Sequence, residues 1–138
     1  LQGCAYEAVT YRKQIHAENI VILADVYDRT GKPLGEIPLA EAAHSASVYC
    51  KADGLIITGQ TFQESLEMLQ IVQNAHLNIP LFLGGGANAD NVKEALKYCN
   101  GVIVSSSFKP VSGWTEESIL AEWDYDRVAQ FMQAVHPA

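Results

Sequence analysis

The sequence predicts an α/β protein laid out as the C-terminal half, strands five to eight, of a (β/α)8 barrel. Three observations predict it. A short apolar run, a polar turn and an amphipathic stripe recur four times after a leading helix, the order expected of parallel strands joined by helices. The apolar runs are uninterrupted, as in parallel sheets whose strands are covered on both faces. The glycines follow the third run and a serine cluster follows the fourth, whereas a doubly wound nucleotide-binding sheet carries its phosphate loop after the first. If a first half precedes these units, the two loops follow strands seven and eight, where barrels commonly hold phosphate.

Residues 4–15 read as an amphipathic helix, with Ala5, Ala8 and Val9 on one face. Ile20 to Ala24 is the first strand, closed by Asp25. The polar stretch DRTGKPLGEIP is long for a strand-to-helix loop, and long loops in compact domains are often functional. Leu39, Ala42, Ala43, Ala46 and Cys50 mark the next helix, and Leu55-Ile56-Ile57 the second strand. That strand ends at Thr58-Gly59-Gln60-Thr61, before a helix marked by Leu66, Leu69, Val72 and Ala75. The third strand, Leu81-Phe82-Leu83, stops at Gly84, Gly85 and Gly86; Asn88 stands as an N-cap ahead of the stripe Val92, Ala95, Leu96 and Cys99. Val102-Ile103-Val104 runs into Ser105, Ser106, Ser107, Phe108 and Lys109, then a loop with Pro110, Gly113, Trp114 and several acids. The closing helix has Asp124 as N-cap and the stripe Tyr125, Val128, Ala129 and Met132.

Composition narrows the function. With 138 residues and 49% hydrophobic content the chain, residues 1–138, is expected to be one domain or a piece of a larger one. It begins at Leu1 with a helix face already under way, which reads as a fragment or processed product. No apolar run nears the roughly 20 residues that span a bilayer. A net charge of −7 argues against nucleic acid or an anionic membrane as the main partner. Cys4, Cys50 and Cys99 are scattered, without zinc or disulfide spacing, and His16, His44, His76 and His136 form no ligand pair. A reducing compartment is expected, the cytoplasm or, with a transit segment upstream, an organelle matrix or stroma. No metal or cofactor is expected.

The polar strand ends carry the candidate site. In a barrel they converge on the face that holds the active site. Backbone amides at Gly84, Gly85 and Gly86, a helix start at Asn88, the hydroxyls of Ser105, Ser106 and Ser107 and the Lys109 ammonium suit a phosphorylated or anionic small molecule. Thr58, Gly59 and Thr61 join them from the second strand end. The bland alternative is that glycines and serines only shape turns. Asp25 is the candidate acid/base, its rival role being to hold a loop or pair with a lysine. Asp53 and Asn100 precede strands on the opposite face and read as turn formers with Gly54 and Gly101. Asp124 and Arg127, three apart, read as a cap and a surface tie. Trp114 and Trp123 flank the acidic loop as packing residues or a partner surface.

The series ADG-LIITG, NV-x-EAL, NGVIVSSSFK and WDYDRVAQFM resembles the C-terminal half of the BtpA/SgcQ family of (β/α)8-barrel proteins, from about Ala17 to His136. The resemblance runs through Asp25-Val26, Thr58-Gly59, Gly84 and Gly86, Asn91-Val92, Gly101, Lys109, and Asp124 with Arg127. Tyr27-Asp28-Arg29-Thr30 stands where the family has a Lys-His pair, and Thr61-Phe62 replaces a second Thr-Gly. Gly85 takes the middle of a Gly-Ser-Gly loop, and Ser105-Ser106 stands for Gly-Thr. For some members the resemblance implies a role in photosystem I stability, through protein contacts rather than turnover. Four strands alone leave two open sheet edges and a bare inner face, so the chain is expected to pair with a missing barrel half or with itself.

Overall fold

Four apolar runs become four parallel strands: β1 (Leu23–Asp25), β2 (Gly54–Ile57), β3 (Leu81–Leu83) and β4 (Gly101–Val102). The computed structural model describes residues 4–27, 35, 37–111, 113 and 115–136. Strand order in the sheet is β1-β2-β3-β4, with Ala24 beside Leu55, Leu55 beside Leu81 and Leu83 beside Val102. A doubly wound sheet starts near its middle and reverses direction; this one adds every strand on the same side. That one-way winding is the order of consecutive barrel strands.

Because side chains alternate across a strand, the register divides the sheet into two unlike faces. Leu55, Ile57, Leu81 and Leu83 point one way and are buried in the core with Leu66, Leu69, Val72, Val92 and Phe131. Leu23, Ile56, Phe82 and Ile103 point the other way, and Leu23 and Ile103 on the two outer strands stay 39% and 42% exposed. The Phe82 ring lies between two glycines: a Cβ on Gly54 or on Gly101 would come to 3.0 Å from it. The first strand was expected to be covered on both faces. Its ladder instead begins at Leu23, and Ile20 and Val21 are 57% and 69% exposed. The reason is position: β1 is an edge strand with a neighbour on one side only.

The helices cover the buried face. They are α1 (Ala5–Gln14), α2 (Leu39–Val48), α3 (Phe62–Asn74), the four-residue α4 (Val92–Ala95), a short α5 (Glu116–Leu120) and α6 (Tyr125–Val135). α1 buries nothing and is held by Arg12, which donates to the Ile20 carbonyl at 2.9 Å and pairs with Asp53 at 2.6 Å. His16, Lys51 and His76 follow α1, α2 and α3 with φ of 53°, 57° and 50°, so each of these helices stops at a left-handed residue other than glycine. The closing helix turns a different stripe inward than expected. Phe131 is 5% exposed, with Ala134 and Val135 packed beside it, whereas Tyr125 and Met132 are 85% and 47% exposed. Phe131 wins because Phe108 offers it a ring 5.2 Å away, edge to face.

Asp53 and Asn100 do more than turn the chain. Asp53 accepts the Ile22 amide at 2.7 Å and Asn100 accepts the Leu81 amide at 2.9 Å, so each residue ahead of a strand staples the start of its neighbour. Tyr27 donates its hydroxyl to the Ile37 carbonyl and closes the long loop at its base; most of that loop, residues 28–34 and 36, lies outside the described residues.

Candidate functional site

β3 ends where it does because of crowding. A Cβ on Gly84 would sit 2.0 Å from Thr58 Oγ1 and 2.6 Å from Ile56 Cγ2, so only glycine fits while its amide bonds the Ile57 carbonyl at 3.0 Å. Gly86 is needed for a different reason, a φ of 83°. The loop is then pinned from beyond. Asn91 donates Nδ2 to the Gly86 carbonyl at 3.0 Å and accepts the Asn88 amide on Oδ1 at 2.8 Å. Asn88 Oδ1 accepts the amides of Asp90 and Asn91 at 2.9 and 3.1 Å. The helix start is thus Asn91, with Asn88 forming the turn before it, a correction to the expected cap. The helix has only four residues, too short for a sizeable macrodipole, so positive potential here comes from loop amides. Among the described residues the amides of Gly85, Gly86 and Ser105 have no protein acceptor.

The serine loop meets the glycine loop directly. Ser106–Phe108 form a 3₁₀ turn, and Ser107 donates its hydroxyl to the Ala87 carbonyl. Gly84, Ser105, Ser106 and Lys109 line one cleft of about 190 Å³, completed by Gly113, Ser118 and Ile119. Lys109 Nζ donates to the carbonyls of Ser118 and Ile119 at 2.8 and 2.7 Å, in the last turn of α5, where carbonyls lack helical partners. An ammonium has three N–H groups, so one remains for a ligand. The Lys109 carbonyl is held by Arg127 at 2.8 Å, and Arg127 pairs with the α6 cap Asp124 at 3.3 Å. Asp124 and Arg127 therefore cap and tie the last helix as expected.

The remaining predicted residues divide. Thr58 is half-buried against Gly84, beside the cleft. Gly59 is buried against α3, its amide donating to Ser65 Oγ at 2.9 Å. Thr61 caps α3, its Oγ1 accepting the Glu64 amide at 3.1 Å. Asn88 and Ser107 line a neighbouring cleft of about 340 Å³ with Asp90, Arg127 and Phe131. Asp25 ends β1, two strands from Gly84, roughly 10 Å away at ordinary strand spacing. Ser118 and Ile119 were not foreseen as cleft residues. The signal was present in Thr115-Glu116-Glu117-Ser118, an N-cap with acids in the first turn; Thr115 Oγ1 accepts the Ser118 amide at 3.2 Å, and the buried Ser118 donates to the Val111 carbonyl. Trp123 packs on Phe108 at 5.9 Å, and Trp114 lies outside the described residues. Among the described residues no cluster of three histidines, cysteines or carboxylates could hold a metal, and no helix is long and apolar enough to cross a membrane.

An arc of parallel strands wound one way, with a glycine loop and a serine loop joined at its C-terminal rim, defines the second half of a (β/α)8-barrel protein. The chain belongs to the BtpA family, whose model matches residues 1–137. It is 35% identical to the photosystem I biogenesis protein BtpA of Synechocystis sp., over 98% of this chain and 46% of that protein. An uncharacterised mitochondrial protein of Caenorhabditis elegans is 30% identical over 99% of this chain and 48% of its own length. N-(5'-phosphoribosyl)anthranilate isomerase of Bradyrhizobium diazoefficiens, a barrel enzyme, is 29% identical over 72% of this chain and 52% of its own. The chain spans about half the length of these relatives. No solved structure matches it.

Proposed function

We propose that the cleft between the glycine and serine loops binds a phosphorylated or otherwise anionic small molecule. The observation that carries this is the convergence of Gly84, Ser105, Ser106 and Lys109 on one cleft, where the Ser105 amide has no protein acceptor among the described residues. Hydroxyls, amides and one ammonium hydrogen are donors, and a phosphate oxygen is the acceptor that satisfies several at once. The isomerase relative has a phosphoribosyl group in its name, which agrees with such a ligand. Binding, rather than turnover, is the reading within one chain, because Asp25 stands two strands from Gly84.

Thermal unfolding with ribose 5-phosphate, inorganic phosphate and unphosphorylated ribose tests it. The phosphates raise the midpoint by several degrees and ribose does not. Gly85→Asp, which puts a carboxylate into the loop, and Lys109→Ala abolish the rise. Equal response to ribose and ribose 5-phosphate, or none to either phosphate, overturns the reading.

A second reading rests on the photosystem I biogenesis relative and on the exposed Ile119, Leu120 and Trp123 beside the cleft. In it the same rim holds a protein partner and no phosphate raises the unfolding midpoint.

A further inference from the structure

We propose that Arg127 is a positioning residue for the anion cleft: through the backbone of Lys109 it fixes where the Lys109 ammonium stands. The inference rests on the anion reading above and adds to it a residue that does not line the cleft. A lysine carries its charge on a flexible four-carbon stem, and ordering such a stem when a ligand arrives takes affinity away. Here both ends of Lys109 are held before any ligand enters. At the tip, Nζ donates to the Ser118 and Ile119 carbonyls at 2.8 and 2.7 Å. At the backbone, the Lys109 carbonyl accepts from Arg127 Nη1 at 2.8 Å, and the Phe108 carbonyl just before it accepts the Asp124 amide at 2.7 Å. Two successive carbonyls of the serine loop are thus bound to the start of α6. The third ammonium hydrogen then points from a fixed origin, which is what preorganises a site.

The guanidinium is itself aimed. Asp124 Oδ2 lies 3.3 Å from Arg127 Nε, while Oδ1 of the same carboxylate accepts the Asp126 and Arg127 amides. One carboxylate therefore sets both the helix start and the direction of the guanidinium fork. The two side chains are 46% and 34% exposed, and a pair so open to water adds little to stability, so what Arg127 contributes is its bond to Lys109. The rest of the serine loop is anchored by other groups. The Ser107 hydroxyl is bound to the Ala87 carbonyl, and the Phe108 ring packs against Trp123 and Phe131. Removing Arg127 thus loosens Lys109 and spares the turn that carries Ser105 and Ser106.

Acylation of the full natural protein by an amine reagent, read by peptide mass spectrometry, tests this without ligand. Lys109 is expected to react more slowly than the exposed Lys93 and Lys97, because its ammonium is already donated to two carbonyls. Arg127→Ala brings Lys109 up to the rate of those two, leaves theirs unchanged and leaves the unfolding midpoint where it was. Calorimetric titration with ribose 5-phosphate then shows binding weakened about fivefold, the equivalent of ordering one long side chain at the moment of binding. A Lys109 rate that Arg127→Ala does not change overturns the proposal, as does an equal rise at Lys93 and Lys97, which marks a structural role only. Should the unaltered protein show no response to ribose 5-phosphate, the anion reading fails, and the acylation rates still decide whether Arg127 holds Lys109. If Arg127→Ala does not fold, Asp124→Asn, which keeps a cap oxygen and loses the charge opposite Arg127, is read in the same way.

Discussion

Asp53 shows how much one side chain can hold. The Ile22 amide, and after it the Arg12 guanidinium, keep its carboxyl below the ordinary aspartate value of 3.8. A folded pKa below the unfolded one means stability that is complete above the unfolded value and fades as pH falls through the folded one. Asp53→Asn keeps an oxygen for the Ile22 amide and loses the charge. Urea midpoints of the two proteins should therefore differ by a constant amount from neutrality down to about pH 4, and converge below it. The difference corresponds to under about 1 kcal/mol, because the pair is partly exposed and screened. The sequence offered Asp53-Gly54 and Asn100-Gly101 as turns, and the staples to the neighbouring strand were hidden because their partners lie 31 and 19 residues away. The cleft glycines, serines and Lys109 were legible, since strand-end chemistry is local. The α5 carbonyls that occupy two hydrogens of Lys109 were not, since they depend on a helix the acids had disguised as loop.

Helix α6 is the element where periodicity misled. Tyr125, Val128, Ala129 and Met132 satisfy the helical spacing, and so do Val128, Phe131 and Val135. Spacing cannot choose between overlapping stripes; the Phe108 ring can. Phe131→Ala should cost about 3 kcal/mol, the usual range for a buried aromatic ring. Met132→Ala should cost under about 0.5 kcal/mol, as surface substitutions do. Chemical denaturation of both variants measures the pair, and equal losses would return the buried face to the stripe first read. β2, β3, α2 and α3 fell where their apolar runs put them, because one-sided burial leaves an unambiguous pattern, whereas the ladder of β1 began only at Leu23 and that of β4 stopped at Val102. α4 kept its expected inward residues, Val92 and Ala95, but stopped after one turn.

At the scale of the whole molecule, repeat order and loop position disclosed the barrel half in the sequence, whereas the bare faces became visible only once register sorted the side chains. One such register detail reaches across most of the arc. Phe82 stands between Gly54 and Gly101, so its ring sets how closely three strands approach on the inner side. Enlarging either glycine demands a smaller residue at 82, and shrinking 82 opens a void that the glycines cannot fill. These three positions should therefore drift only as a set over evolutionary time, and a homologue that has lost the ring should have replaced both of its flanks.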